Sequence, residues 1–335
     1  MNYFIGIDGG ATSTAVCAAE VDSLSISYGE TSGASWREYG AAGVAQKLKE
    51  AAYALIGGCQ IAGIAMGLPC YGESVAGDRE LEQAVREAFP GVRIYFTNDV
   101  EVGWAGSMAL APGINIVAGT GSIAFGKDIH GKAARCGGWS EFFGDEGSCY
   151  WIGRKVMELF SKQSDGRLQK DELYEIVFRE LKLKNDFEFI DIVSAHYRNY
   201  REQVASLQVL AEKAALAGAP SAIALYDEAV RELCLLVNAV RNQLAFDEGR
   251  FMVSYSGGLF KAGKFVIPQF SREIENMGGE LVSPCFKPEE GALLLAYQKF
   301  CPDSLGQVQE AIQANDTYLD CFVADAPRND GGDVV

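Results

Sequence analysis

Two short stretches rich in glycine and hydroxyl side chains could bind a phosphate chain. Residues 8–14 read DGGATST, and residues 119–122 read GTGS. Each stretch lies between two apolar runs with many branched side chains, which is typical of a β-hairpin whose tip presents backbone N–H groups. The pair predicts that two hairpin tips bind one phosphate chain from two sides.

The first stretch also carries an acid. Glycine lets the backbone approach phosphate oxygens closely, and the Thr and Ser hydroxyls add hydrogen-bond donors. Asp8 follows a buried strand and could hold the water shell of Mg²⁺. Asp-Gly is also the commonest signal of an ordinary hairpin turn, so both interpretations stay open. The second stretch lacks an acid and is predicted to donate hydrogen bonds to the β- and γ-phosphates.

A further carboxylate, Asp99, stands between a predicted strand at 92–97 and a predicted helix. Asp99 could be a helix N-cap or a turn residue. It could also orient a substrate hydroxyl and accept its proton, as an aspartate does in phosphoryl transfer. His130 and His196 lie away from every motif, which disfavours a histidine base.

Residues 136–148, CGGWSEFFGDEGS, combine glycines, aromatic rings and acids. Such a composition makes a poor core and a poor helix, and it suits a loop that binds polyhydroxyl ligands through carboxylates and ring stacking. The alternative is a surface turn that leads into a helix at Tyr150, with Asp145 and Glu146 favouring the helix N-terminus.

The turn at residues 256–258, Ser-Gly-Gly, follows a predicted strand. It could offer a flat surface to a nucleotide base or ribose, and an ordinary turn explains its glycines equally well. Residues 258–264, GLFKAGK, have the spacing of a P-loop, but Phe265 stands where a Mg²⁺-binding Ser or Thr is required. We therefore reject a P-loop here.

The elements that must position these residues alternate between strands and helices. Strands, a helix, a buried run at 61–68, a helix near 81–89 and a strand at 92–97 predict an α/β layer whose mostly parallel sheet is extended by hairpin strands. Helical periods dominate 150–246, strands return at 250–255 and 280–282, and Pro288 opens a helix to 296. Apolar residues at helical spacing predict two helices. The face of the first consists of Ala45, Leu48, Ala52 and Leu55. The face of the second consists of Ile223, Tyr226, Val230, Leu233, Val237, Val240 and Leu244.

The order of strand, glycine turn, strand and helices occurs from residue 3 and again from residue 114. This weak repeat predicts two α/β domains that face each other across a cleft, the usual place for a ligand. We expect an N-terminal domain at 1–112 and a C-terminal domain at 113–324, with a helical insertion at about 150–246. Residues 325–335 are polar and are expected to be a flexible tail.

Composition narrows the classes of partner. The 335 residues carry 29 Lys and Arg against 45 Asp and Glu, a net charge of −16, and no basic run stands out. This disfavours nucleic-acid and anionic-membrane binding and indicates a small-molecule partner. The nine cysteines form no CxxC pair, and no apolar run is long enough to span a bilayer. We expect a soluble cytoplasmic protein and leave the oligomeric state open, with a homodimer as one option.

Together these motifs resemble the sugar-kinase, Hsp70 and actin superfamily, and within it the N-acetylglucosamine kinase type of the BadF/BadG/BcrA/BcrD ATPase family. The matching pieces, in the family's order, are GIDGGATST at 6–14, TND at 97–99, GTGS at 119–122, CGGW and GDEGSCYWIG within 136–153, and SGGLF at 256–260. They span the chain to about residue 300. The resemblance implies two ribonuclease-H-like, actin-like ATPase domains that close over ATP and Mg²⁺.

The resemblance also assigns roles by position. Asp99 takes the place of the catalytic base, and Asp8 that of the residue that holds Mg²⁺ through water. The residues implied for ATP are Asp8, Gly9, Gly10, Thr12, Ser13, Gly119, Thr120, Gly121, Ser122, Gly257 and Gly258. Those implied for the sugar are Ser35, Trp36, Asp99, Gly138, Trp139 and Asp145.

The chain departs from the family's pattern at three places, and the last two bear on the choice of sugar. Ala11 replaces the third glycine of the first stretch, Ser35-Trp36 stands where an Asn is frequent, and Ser140-Glu141 replaces the glycine that commonly follows GGW. We therefore predict ATP-dependent phosphorylation of an amino sugar at O6, first of all N-acetylglucosamine, with N-acetylmuramic acid and glucosamine left open.

Two other functions share this fold. One is the ATPase activator of a radical dehydratase or reductase, which needs cysteines for a bridging iron–sulfur cluster. Cys136 and Cys149 are the only pair close enough in sequence to suggest such a cluster. The other is a nucleotide-switched binding protein of the actin type, against which the GGW and GDEGS segments argue.

Overall fold

Apolar runs separated by glycine turns form two mixed five-stranded sheets in the computed structural model, which describes residues 1–10, 13–197, 200–246 and 250–315. The strands are β1 (Asn2–Gly9), β2 (Ser13–Glu20), β3 (Ile26–Ser32), β4 (Gln60–Leu68), β5 (Ile94–Asn98), β6 (Gly113–Ala118), β7 (Ser122–Lys127), β8 (Ala133–Gly137), β9 (Phe251–Ser256) and β10 (Gly279–Leu281). The helices are α1 (Trp36–Ile56), α2 (Val75–Ala88), α3 (Asp99–Ser107), α4 (Cys149–Ser164), α5 (Glu172–Glu180), α6 (Glu188–His196), α7 (Arg201–Ser206), α8 (Gln208–Leu216), α9 (Pro220–Arg241), α10 (Gly263–Asn276), α11 (Pro288–Phe300) and α12 (Leu305–Asn315).

The two sheets repeat one topology. The first has the order β3-β2-β1-β4-β5, and the second has the order β10-β9-β6-β7-β8, which is the same pattern written from the other edge. In each, a three-stranded antiparallel meander is continued by two parallel strands. The internal repeat that the glycine turns suggested is therefore present in the fold.

By packing, the described chain divides into two compact units. One contains Met1–Val102 and the described residues from Lys287 onward, and the other contains Gly103–Phe286. The sequence-based domains, 1–112 and 113–324, differ from this division mainly in where the chain after Lys287 belongs, and they stay a prediction. The predicted tail at 325–335 lies outside the described residues.

The first unit has its core between its sheet and the flanking helices. Alternate residues of β1 and β4, such as Ile5, Ile7 and Ile64, pack against the apolar face of α1. Ala45, Leu48 and Ala52 of the predicted face are buried, and Leu55 is partly buried. The helix is kinked at Gly40, which has non-helical φ and ψ angles.

The backbone of α11 lies directly on β1. A Cβ atom on Gly6 would stand 2.2 Å from the amide nitrogen of Leu293 and 2.3 Å from the carbonyl oxygen of Glu289. Only glycine leaves room for so close an approach. This contact explains why α11, predicted as a C-terminal helix from Pro288, belongs by packing to the first sheet.

Gly6→Ala should therefore destabilise the protein by about 3 kcal/mol or more, because a methyl group there overlaps main-chain atoms of α11 that can move only if the helix shifts as a whole. Thermal or urea unfolding measures the effect. Gly29→Ala on β3 is the matched control, since its Cβ would meet only Leu55, at an ordinary 3.6 Å. Equal stability of the two variants would contradict this packing.

In the second unit, the described residues between β8 and β9 form six helices, α4 to α9. On α9 the predicted seam is buried at five positions, from Tyr226 to Val240. The prediction was wrong at its ends. Ile223 is 39% exposed, and Leu244 lies beyond the helix, which ends at Arg241. Leu244 instead lies against β7, where a Cβ on Gly126 would be 3.1 Å from it.

The segment with P-loop spacing does not form an open loop. Gly258–Ala262 is a 3-10 helix, and α10 begins at Gly263. Among the described residues, no helix combines the length and the apolar character needed to cross a membrane.

Candidate active site

The first predicted hairpin is confirmed. In the antiparallel pair of β1 and β2, Gly9 stands opposite Thr14, and the N–H of Gly10 donates to the carbonyl of Ser13 (2.8 Å). The carbonyl of Gly10 accepts the N–H of Ala34 (2.9 Å), so the segment leading to Ser35 lies beside the tip. Ala11 and Thr12 lie outside the described residues.

Asp8 and Asp99 come together at one edge of the first sheet. In the parallel register Asp8 stands opposite Gly67 on β4, and Gly67 stands opposite Thr97 on β5. Asp99 follows β5 as the first residue of α3. A Cβ on Gly67 would lie 3.1 Å from the Cα of Asp99, so the glycine between the two acids lets α3 approach the sheet.

The charge around Asp8 is strongly negative. Burial, which disfavours the ionised carboxylate, raises the pKa of Asp8 well above its ordinary value of 3.8, and the nearby carboxylates of Asp99 and Glu289 raise it further. A cation near Asp8 would relieve this repulsion, so the donor set fits Mg²⁺ held through water. No three His, Cys, Asp or Glu side chains of the described residues are close enough to ligate one ion directly.

Glu289 was not among the predicted site residues. The sequence shows it only as an acid in the first turn of α11, where acids are common. Its proximity to Asp8 arises because α11 packs on β1 at Gly6, a long-range contact without a local sequence signal.

Asp99 is half-buried at the start of α3, and its Oδ1 accepts the N–H of Val100 (2.9 Å). Asn98, beside it, donates through Nδ2 to the carbonyl of Tyr71 (2.8 Å). These hydrogen bonds agree with the interpretation of Asp99 as a residue that begins a helix. They also fix the backbone that carries the carboxylate, which a general base requires.

Ser35 and Trp36 begin α1. Ser35 is the N-cap residue, although its side chain makes no cap hydrogen bond. The Trp36 ring packs on Gly77 of α2, where an added Cβ would lie 2.7 Å from it. Its Nε1 is buried without a hydrogen-bond partner among the described residues. The ring thus contributes to the core of the first unit.

The second predicted hairpin is also confirmed. Ala118 of β6 stands opposite Ser122 of β7, and the N–H of Gly119 donates to the carbonyl of Gly121 (2.9 Å) across the tip. Gly257 lies against this tip. Its φ of +104° favours glycine, and a Cβ there would stand 2.5 Å from the carbonyl oxygen of Ala118. The second hairpin and the turn predicted for adenosine are therefore neighbours in the second unit.

The 136–148 segment is fastened to the same hairpin through Ser122. The carbonyl of Ser122 accepts the N–H of Gly138 (2.9 Å), its hydroxyl donates to the carbonyl of Glu146 (2.7 Å), and its N–H donates to Oδ1 of Asp145 (3.2 Å). The N–H of Cys149 donates to the carbonyl of Gly119 (2.9 Å). The N–H and hydroxyl of Ser122, predicted to face phosphate, thus hold the loop in place.

The loop separates exposed rings from a buried acid. Trp139 is 70% exposed and Phe142 is 87% exposed, whereas Asp145 is only 2% exposed. Asp145 has a φ of +59°, a left-handed conformation that few non-glycine residues adopt. Its Oδ2 accepts a hydrogen bond from Arg201 of α7, a residue that the sequence analysis did not single out.

A family model described as the BadF/BadG/BcrA/BcrD ATPase family matches residues 5–296. The chain belongs to this family. The resemblance inferred from the motifs is therefore confirmed, and the motifs from GIDGG to SGGLF all lie within the matched region.

Named relatives of this family member are kinases of amino sugars. It is 29% identical over 278 residues to an N-acetylmuramic acid/N-acetylglucosamine kinase of Clostridium acetobutylicum, covering 81% of this chain and 90% of that protein. It is 28% identical over 315 residues to an N-acetyl-D-glucosamine kinase of Dictyostelium discoideum, covering 88% of this chain and 97% of that protein. A candidate N-acetylglucosamine kinase from Chromobacterium violaceum has a similar solved structure, with a TM-score of 0.70, 27% identity and coverage of 88% and 98%. The predicted α/β fold class is confirmed.

In this BadF/BadG/BcrA/BcrD family member, Cys149 is a buried residue at the start of α4. Burial raises the pKa of Cys149 to about 11, so the thiol stays protonated at neutral pH. In this neutral form Cys149 packs as a small apolar side chain in the core of the second unit.

Proposed function

We propose that this protein transfers the γ-phosphoryl group of ATP to O6 of an N-acetylated hexosamine, with N-acetylglucosamine as the first candidate. The observation that carries the proposal is the meeting of Asp8 and Asp99 across Gly67, which provides a cation-attracting acid and a candidate base at one sheet edge. The names of two relatives support the sugar class. N-acetylmuramic acid and glucosamine remain alternatives.

In the proposed reaction, backbone groups of the hairpin tips bind the phosphates of ATP. Glycine at the tips leaves the main chain open to phosphate oxygens, and Thr120 adds a hydroxyl. The residues assigned to ATP are Gly9, Gly10, Thr12, Ser13, Gly119, Thr120, Gly121 and Ser122, with Gly257 and Gly258 assigned to adenosine. Ser122 would act mainly by fastening the second tip to the 136–148 loop.

Asp8 is proposed to hold the water shell of the metal ion. Its raised pKa shows that the site disfavours the ionised carboxylate when no positive charge is near. An adjacent cation would offset this free-energy cost. Mg²⁺ bound there would neutralise charge on the phosphate oxygens. Glu289, close enough to raise the pKa of Asp8, adds to the negative potential that attracts the cation.

Asp99 is proposed to orient the acceptor hydroxyl and to accept its proton. Phosphoryl transfer has a loose transition state, so the hydroxyl needs little activation and its proton leaves late. Correct placement is then the larger contribution, and the fixed start of α3 provides it.

Trp139 and Asp145 are proposed to recognise the sugar, together with Gly138, Ser35 and Trp36. The exposed Trp139 ring offers a stacking face. A carboxylate such as that of Asp145 accepts hydrogen bonds from sugar hydroxyls. A Cβ on Gly138 would stand 2.7 Å from Ile123, so this backbone tolerates no side chain.

A coupled ADP-release assay tests the proposal. Glucosamine, N-acetylglucosamine, N-acetylmannosamine, N-acetylmuramic acid and glucose are compared with a reaction without sugar. We expect N-acetylglucosamine to stimulate ADP release most, because it is the sugar that the names of both relatives share. Its 6-deoxy analogue is the matched control and should give no stimulation. If none of the five sugars stimulated ADP release, the kinase proposal would be rejected. Stimulation by the 6-deoxy analogue would reject O6 as the phosphorylated position.

A further inference from the structure

Arg201 is the one positively charged residue, among the described residues, whose side chain contacts Asp145. It is the first residue of α7, and its Nη2 donates to Oδ2 of Asp145. Its Nε lies 3.6 Å from Oε2 of Glu141. A Cβ on Gly121 would stand 2.6 Å from Nη2, so the guanidinium lies against the tip of the second hairpin.

The position of Arg201 is set by the packing of α7 on α4. A Cβ on Gly153 would stand 1.9 Å from the carbonyl oxygen of Val204, so the backbone of α7 rests on this glycine. Gly153 is the last residue of the GDEGSCYWIG motif. The motif therefore supplies both the buried acid, at Asp145, and the contact surface for the helix that carries its arginine.

The two oxygens of Asp145 each have a donor. Oδ1 accepts the N–H of Ser122 (3.2 Å), and Oδ2 accepts from Arg201. A carboxylate that is 98% buried would be costly without such partners. Two donors from two different elements also fix the plane of the carboxylate, and an ionised carboxylate keeps further lone pairs for a ligand.

We propose that Arg201 is a positioning residue for the sugar: by pairing with the buried Asp145 beside Gly121, it fixes the orientation of the carboxylate assigned to the sugar hydroxyls. The inference rests on the proposed kinase function. Glu141 contributes less, because its ion pair with Arg201 is half exposed and screened by water.

Arg201→Met tests this role, because methionine keeps an unbranched apolar stem and removes the charge and the donors. We expect the KM for the sugar to rise about 10- to 100-fold, as for the loss of a hydrogen bond to a charged group. The KM for ATP should rise less, although the guanidinium also lies against Gly121 of the second hairpin. Arg201→Lys should recover part of the loss, since it restores the charge without the planar fork. Arg167→Met is the matched control, because Arg167 forms an exposed ion pair with Asp165 in the same unit.

A double-mutant cycle separates this role from general damage. If Arg201 acts through Asp145, Asp145→Asn alone and Asp145→Asn with Arg201→Met should raise the sugar KM by similar factors. Factors that multiply would contradict the inference. Circular dichroism and the affinity for an ATP analogue show whether each variant is folded.

The two proposals fail in different ways. Absence of sugar-stimulated ADP release by the wild type would overturn both. A wild type that phosphorylates the sugar, with Arg201→Met retaining the wild-type sugar KM, would overturn the role of Arg201 alone.

Discussion

Asp99→Asn should slow sugar phosphorylation by about 10²- to 10⁴-fold, the usual contribution of a general base, while fold and nucleotide binding persist. Asparagine has nearly the same shape but cannot accept the proton of the acceptor hydroxyl. It also removes a negative charge near Asp8. This loss should cause only a small change in the affinity for nucleotide, because Asp8 itself keeps its carboxyl group. Steady-state kinetics and calorimetric binding of a non-hydrolysable ATP analogue measure the two effects separately.

Asp22→Asn is the control for Asp99→Asn, because Asp22 is an exposed aspartate of the same unit in the turn after β2. It should behave as wild type in both measurements. If Asp99→Asn phosphorylated the sugar at the wild-type rate, Asp99 would not be the general base. Loss of nucleotide binding or of the folded circular dichroism spectrum would instead indicate that the helix-start role of Asp99 dominates.

Local patterns were enough to predict the hairpins and most of the two sheets. The apolar runs before the glycine turns at 9–10, 119–121 and 257–258 all form strands, since buried strands need such runs and tight turns need glycine. The repeat of β1–β2 in β6–β7 was visible for the same reason. The α9 seam was predicted from its helical period, apart from its two ends.

Long-range contacts were not predictable in this way. Arg201 reaches Asp145 from 56 residues further along the chain, and Glu289 approaches Asp8 only because α11 packs on Gly6. Neither contact leaves a periodic or motif signal. The helix α10 was also missed, since Pro268 lies within it and interrupts the usual helical pattern.

Trp36 shows a third kind of limit. Its place in the motif order predicts a sugar contact, and the structure adds a packing role that the sequence did not indicate, because the ring lies on Gly77 of the first unit. A residue type does not reveal which of its surfaces is used. For the same reason the predicted phosphate role of Ser122 gave no sign of its hydrogen bonds to Asp145 and Glu146.

Asp8→Asn should reduce phosphorylation by about 100-fold or more, because the amide cannot hold the water shell of a cation as a carboxylate does. The loss should persist at saturating sugar and should not be restored by raising the Mg²⁺ concentration. Kinetics over a range of Mg²⁺ concentrations measures it. Full recovery at high Mg²⁺ would show that Asp8 affects only the affinity for the cation.

The same Asp8→Asn variant should be more stable than the wild type when both are free of metal and nucleotide at neutral pH. The raised pKa of Asp8 means that the folded protein keeps this proton to a higher pH than the unfolded chain does. As pH rises from 3.8 through the raised pKa, the folded wild type binds more protons than the unfolded chain, so its free energy of unfolding falls. Asparagine does not ionise, so the stability difference should open across that window and then level off. Thermal unfolding from pH 4 to 8 measures this difference, and Asp22→Asn should follow the wild type throughout.

Mg²⁺ with ATP should stabilise the wild type more than Asp8→Asn, because only the carboxylate gains a compensating cation. A metal-free Asp8→Asn protein less stable than the wild type at neutral pH would contradict the idea that Asp8 is held in a site that disfavours its charge until a cation binds.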